Sequence, residues 1–197
     1  MTRVVSAIER ESYEILRSRV DTGHLAPLQR AVVERVVHAS ADVDYVADLV
    51  CEEDALAGGL AALHAGAPVV ADAEMIAAGI TTREVVCRIR DPRVPALAQA
   101  QGSTRSAAAI RLAYEEVGAG AVWVVGNAPT ALTAILELDV APALVVGLPV
   151  GFVGAVESKH DLRASGLPAV SNRSEKGGSA VAAAAVNALL YLEGEKG

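Results

Sequence analysis

Between Gly126 and Leu190 the chain three times places an apolar run before a glycine-bearing turn, and each turn leads into an alanine-rich segment of helical character. The turns are Gly126-Asn127-Ala128-Pro129-Thr130, Gly147-Leu148-Pro149-Val150-Gly151-Phe152-Val153-Gly154 and Lys176-Gly177-Gly178-Ser179. Strands joined through helices pair in parallel, because a parallel pair needs a crossover. Glycine lets backbone N–H groups come close to a ligand, and helix N-termini favour negative charge. This half of the chain is therefore expected to form a binding face for a large anionic molecule.

The alternation starts at Pro68. Short strands are expected at Val69–Ala71, Val85–Ile89, Ala121–Val125, Ala143–Val146 and Pro168–Ser171, with helices between them and a last helix from Ser179 to Leu192. Residues 1–66 read as mainly helical. Ile8, Tyr13, Ile15 and Leu16 lie near one face of a first helix, and Pro27 suits the start of a second that ends near His38. Glu53 to His64 forms a further helix, ended by Gly66. The expectation is one α/β domain over 1–197, with residues 67–192 alternating β and α. Its sheet is mostly parallel, with helices on both faces and an N-terminal helical segment. Ligands of such sheets bind beyond the carboxyl ends of the strands, which places the turns at Asp72, Gly126, Gly147 and Asn172 around one crevice.

Composition narrows the function. Hydrophobic residues make up 52% but aromatics only 3%, so the core is built from small residues. The net charge of −7 disfavours nucleic acid, since phosphate neutralisation needs excess Lys and Arg. No apolar run is long enough to span a bilayer, and Met1 to Ser6 carry no signal-peptide pattern. A cytoplasmic protein is expected, with Cys51 and Cys87 as small buried hydrophobes.

His38 is the best catalytic candidate of the four histidines. A helix C-terminus favours the protonated imidazole, which suits a general acid; the alternative is a capping or partly exposed histidine. No histidine pair has metal-ligand spacing, so no metal is expected. Gly126 to Thr133 lacks the lysine of a phosphate-binding P-loop, and no GxGxxG turn follows the first strand. Arg105, in the first turn of a helix, opposes the helix dipole, a cost easier to understand if it meets a ligand carboxylate; the alternative is a surface arginine. Lys176 and Arg173 fit the same argument less strongly. Asp72 is expected to cap the helix it precedes, and Glu157-Ser158-Lys159 to be a solvated helix face.

Taken together, these residues resemble the precorrin-8X methylmutase family. The resemblance rests on Ile8-Glu9-Arg10-Glu11-Ser12-Tyr13-Glu14-Ile15, Val36-Val37-His38-Ala39, Asp72-Ala73-Glu74-Met75 with Gly79-Ile80, and Asp91-Pro92. It continues through Thr104-Arg105-Ser106-Ala107-Ala108-Ala109, Gly126-Asn127-Ala128-Pro129-Thr130-Ala131-Leu132, Pro149 to Ala155 with Glu157-Ser158-Lys159, and Gly177-Gly178-Ser179. It implies an isomerase of cobalamin synthesis, moving a methyl group from C-11 to C-12 of precorrin-8X or cobalt-precorrin-8 by a [1,5] shift, with no cofactor. It implies His38 as the acid, and Ser12, Thr81, Arg105, Asn127, Lys176, Gly177, Gly178 and Ser179 as substrate contacts. A homodimer with its site near the subunit interface, and hand-over of product to the next enzyme, are also implied. Two departures stand out: Ser174-Glu175-Lys176 replaces a more basic Gly-led sequence, and Ala41 stands where the family often has Gly. A non-catalytic corrinoid carrier is the alternative from another class, and a methyltransferase or nucleotide-binding α/β protein is a second.

Overall fold

The computed structural model describes residues 6–193, so the expectations for the extreme termini lie outside the described residues. Helices α1 (Ala7–Arg19), α2 (Pro27–Ser40) and α3 (Tyr45–Asp48) come first, followed by β1 (Leu49–Cys51), α4 (Glu53–His64), β2 (Val69–Ala71) and α5 (Glu74–Gly79). Then come β3 (Val85–Val86), α6 (Val94–Ala100), α7 (Arg105–Val117), β4 (Val122–Val125) and α8 (Pro129–Glu137). The chain ends with β5 (Leu144–Gly147), α9 (Ala155–Ala164), β6 (Ala169–Asn172) and α10 (Ser179–Glu193).

The strands form one six-stranded sheet in the order β1-β6-β5-β4-β2-β3. Every neighbouring pair is parallel except β1 with β6, whose register sets Leu49 opposite Asn172. The mostly parallel α/β architecture is thus as expected, with one correction. Strand β1 lies inside the segment expected to be mainly helical and raises the strand count from five to six. Three residues, flanked by Asp48 and by Glu52 and Glu53, are too few to show a period. Helix α6, begun by Val94-Pro95, was not expected either, and β3 stops at Val86 rather than Ile89.

Alternation along the strands divides the core. Val69, Val122, Val124, Leu144, Val146 and Val170 face α2, α4, α5 and α10, whereas Val70, Trp123, Val125 and Val145 face α7, α8 and α9. Both sets are buried, as a sheet covered on both faces requires. Small side chains let α10 lie close to its neighbours: a Cβ built on Gly79 would come within 2.9 Å of the Ala183 Cβ.

Helix α1 is held to α2 by a buried carboxylate. Glu34, 3% exposed, accepts from Arg17 Nη2 at 2.7 Å, Thr22 Oγ1 at 2.6 Å and Arg30 Nε at 2.8 Å. Burial works against its charge, but the hydrogen bonds from Arg17, Thr22 and Arg30 outweigh it and hold the carboxyl at about 2, below its usual 4.5. A depressed carboxyl stabilises the fold above its unfolded pKa, and that share is lost as pH falls from about 4.5 towards about 2. Glu34→Gln is expected to lower stability at pH 7 by about 2–3 kcal/mol. It should also flatten the acid limb of a urea-unfolding series between those pH values.

Candidate functional site

Strands β2, β4, β5 and β6 all end at one edge of the sheet, and β1, running the other way, starts there. Helix α2 delivers His38 in its last turn, just before the α3 segment that feeds β1. The Oγ of Ser12 lies 2.8 Å from Nδ1 of His38, and the Tyr13 ring stacks on the imidazole with centroids 5.1 Å apart and planes 4° from parallel. Two consecutive residues of α1 thus meet the histidine on two aspects, one at its edge and one on its face. Ser12, Ile15, Leu16, Arg19, Val37, His38, Ala41 and Val43 line a cavity of about 110 Å³. A wider one of about 470 Å³ borders Tyr13, and four of the charged groups lining it are paired, Arg17 with Glu34 and Arg35 with Glu9.

The turn after His38 is left-handed at Ala41, with φ 56° and ψ 22°, and the Ala41 N–H donates to Val37 O at 2.8 Å. This is the conformation in which glycine carries no Cβ penalty. Ala41 therefore adopts the αL turn despite its Cβ.

Beyond the turn, Asp42 and Asp44 each accept from Lys176 Nζ at 2.7 Å and hold that ammonium above its ordinary value. Lys176 thus ties the loop after His38 to the segment before α10. Asp48 extends this junction: it accepts from Arg173 N and Ser174 N, both at 2.9 Å, from Ser174 Oγ at 2.6 Å and from Asn172 Nδ2 at 2.8 Å. Burial opposes its charge, yet the bonds from Ser174, Asn172 and Arg173 prevail, and the carboxyl sits below its ordinary value.

Asp72 does not cap α5, whose N-cap is Ala73 without a side-chain bond. Parallel pairing of β2 with β4 sets Asp72 beside the next turn instead. There its carboxylate accepts from Gly126 N at 3.0 Å, Asn127 N at 3.1 Å and Ala128 N at 2.7 Å. Burial pushes the Asp72 carboxyl up while these three amides pull it back. The amides of the Gly126 turn, read as ligand donors, are therefore already taken by the chain's own carboxylate.

The glycines of this edge serve close packing. A Cβ on Gly126 would lie 2.8 Å from Gly178 O, and one on Gly177, at φ 156°, would strike Leu148 O and come within 2.8 Å of Pro149 O. Gly178 N donates to Leu148 O at 2.9 Å. Lys159 is buried rather than solvated, contrary to the reading of Glu157-Ser158-Lys159, and its Nζ donates to the carbonyls of Ser174 and Lys176. Burial lowers its ammonium to about 8, against the pull of Asp48. Only the tertiary path shows this, because a lysine at that helical spacing reads as exposed.

The structure brings Ser12 to His38, and Lys176 to the loop that follows His38. Gly177 and Gly178 lead into α10, which Ser179 starts, at the same edge, and Asn127 is exposed beside Gly126. Thr81 is exposed past α5. Arg105 is exposed at the start of α7, with Nη2 3.4 Å from Ile89 O, and the described contacts do not join it to His38. Among the described residues, sequence reasoning had missed Asp48 and the role of Tyr13 at His38.

A family model described as precorrin-8X methylmutase matches residues 7–192. The precorrin-8X methylmutase of Pseudomonas aeruginosa is 47% identical, with 93% of each chain covered. The cobalt-precorrin-8 methylmutase of Salmonella typhimurium is 44% identical at the same coverage. A crystal structure of the precorrin-8x methyl mutase from Thermus thermophilus superposes with a TM-score of 0.87 at 38% identity, covering 96% of each chain.

Replacing Ala41 by Gly relieves the αL position next to His38. Ala41→Gly is expected to raise stability by about 0.5–1 kcal/mol, read as a higher urea midpoint at unchanged slope.

Proposed function

This chain belongs to the precorrin-8X methylmutase family and is a methyl-shifting isomerase of cobalamin biosynthesis, and on that premise we propose that His38 is the acid that drives the shift. The observation that carries the proposal is the 2.8 Å contact between Ser12 Oγ and His38 Nδ1. In the imidazolium, Nδ1–H donates to the Ser12 oxygen, leaving Nε2–H for a ring nitrogen of precorrin-8X or cobalt-precorrin-8. Protonating that nitrogen, or hydrogen bonding to it, makes the adjacent carbon electron-poor and eases the [1,5] methyl migration from C-11 to C-12. Substrate and product are isomers, so the proton is recovered and no methyl donor is consumed. Delivery of the proton leaves the Nδ1–H tautomer, which Ser12 already accepts. The end of α2 favours the charged imidazole before the transfer. General acid catalysis of this kind contributes about 10²–10⁴-fold.

The peripheral carboxylates of the macrocycle fall to Arg105 and Lys176, with Thr81, Asn127, Gly177, Gly178 and Ser179 as further contacts. Lys176 reaches a carboxylate by sharing or exchanging Asp42 and Asp44. Glu175, exposed next to it, opposes an anionic substrate at that point. The cavity at His38, about 110 Å³, admits only an edge of a macrocycle, since even drug-sized ligands occupy roughly 300–1,000 Å³. A second copy of the chain completes the enclosure in this reading. The β5–α9 loop supports it, because Phe152 and Val153 are 96% and 89% exposed on one apolar tip. No helix among the described residues is long and apolar enough to cross a membrane, in keeping with a cytoplasmic enzyme that passes its product to the next corrin-modifying step.

His38→Ala is expected to cut turnover of precorrin-8X by about 10²–10⁴-fold while the macrocycle still binds, as followed in the visible spectrum. Wild-type turnover in the variant would remove His38 from the mechanism, and binding without turnover in the wild type would favour the carrier reading. Phe152→Asp is expected to turn a dimer into a monomer in analytical ultracentrifugation; a wild-type protein that sediments as a monomer counts against the paired site.

A further inference from the structure

We infer that Tyr13 is a positioning residue for the acid: its ring is the platform that holds the His38 imidazole in plane and stabilises its protonated form. The inference rests on the reading of His38 as the acid. The planes of the two rings differ by 4° at a centroid separation of 5.1 Å, an offset stack rather than an edge contact. The negative face of a phenol ring attracts a cation, so the stack favours imidazolium over neutral imidazole. Ser12 fixes the ring at Nδ1 and so sets the rotation of its plane; Tyr13 removes the remaining freedom, the tilt out of that plane. The two restraints come from adjacent residues of α1, so docking α1 on α2 sets both together.

Tyr13 is itself held from behind. The Arg35 guanidinium interacts with the Tyr13 side chain and donates to Glu9 Oε1 at 2.7 Å. Arg35 also lies 4.9 Å from the Tyr191 ring centroid, which ties the assembly to α10. The charged groups described around the pair are Glu9, Arg10, Glu14, Arg17 and Arg19 of α1 and Glu34 and Arg35 of α2, with Asp42 in the loop that follows. Arg17 Cζ is 5.6 Å from the Tyr13 centroid, Arg19 lines the His38 cavity, and Asp42 is neutralised by Lys176. Arg17 and Arg35 are themselves paired with Glu34 and Glu9. Arg19, the cation that lines the His38 cavity, works against a charged imidazole, and the stacked ring offsets it.

An acid is active while protonated, so its activity is lost as pH rises through its pKa. Removing the platform lowers that pKa and moves the alkaline limb of the kcat profile to lower pH. The test uses Tyr13→Leu, Tyr13→Phe and His38→Gln, read by NMR titration of ¹³C-labelled histidine and by kcat and KM for precorrin-8X. The His38 resonance is assigned by its absence in His38→Gln. In Tyr13→Leu the His38 midpoint is expected to fall and kcat at pH 8 to drop about tenfold, with KM within about twofold of wild type. Tyr13→Phe keeps the ring and is expected to recover most of both losses. An unmoved midpoint in Tyr13→Leu, beside an inactive His38→Gln, overturns the platform alone. Tyr13→Phe as impaired as Tyr13→Leu overturns it too, since the hydroxyl would then be the part that matters. Full turnover in His38→Gln overturns the acid reading itself, whatever the midpoint does.

Discussion

The carboxylate of Asp48 gathers two backbone amides, a hydroxyl and a side-chain amide from Asn172 to Ser174, and the shape of the crevice depends on that cluster. It fixes the point where the antiparallel edge strand β1 joins the sheet and the point where the chain leaves β6 for α10. Lys159 closes the same segment from the opposite side by donating to Ser174 O and Lys176 O. A half-buried carboxylate and a buried ammonium thus hold one short loop between them. The buried Lys159 charge is tolerated because its ammonium donates to two backbone carbonyls.

The same device recurs at Asp72, and it changes the meaning of the glycine-rich turns. Amides at a strand-to-helix turn form a ready site for an anion, and here the anion is a side chain of the protein. In the site proposed above, the Gly126 turn therefore offers no free amide cradle, and selectivity for a polycarboxylate falls to side-chain cations at the rim. That arrangement suits a ligand whose charges sit at the ends of flexible arms and not on one compact group.

Much of this was legible in the sequence. The βα alternation gave the sheet, and the helix boundaries at Glu53–His64 and Arg105–Val117 follow from caps and glycines a reader can see. His38 stood out because a helix ended beside it. What was not legible has one cause: it depends on which strands are neighbours. Asp72 precedes α5, and only the pairing of β2 with β4 turns it towards Gly126. Asp48 meets residues more than a hundred positions away, and Lys159 is buried by a loop that the local pattern does not announce. β1 escaped notice because three residues flanked by acids carry no period. Tyr13 was visible as a helical residue, but its relation to His38 is set by how α1 lies on α2, which no local pattern encodes.

The sequence distance across the Asp48 cluster bears on how the enzyme comes into being. Asp48 and Asn172 are separated by 124 positions, and Asp44 and Lys176 by 132. Closing loops of that length precedes any reward from the contacts they make, so such pairings form late. During synthesis, α1 and α2 emerge with Ser12, Tyr13 and His38 long before β6 and the start of α10 exist. The loop behind His38 therefore acquires its fixed course only when almost the whole chain has left the ribosome, and a product of premature termination carries the histidine with that loop untied.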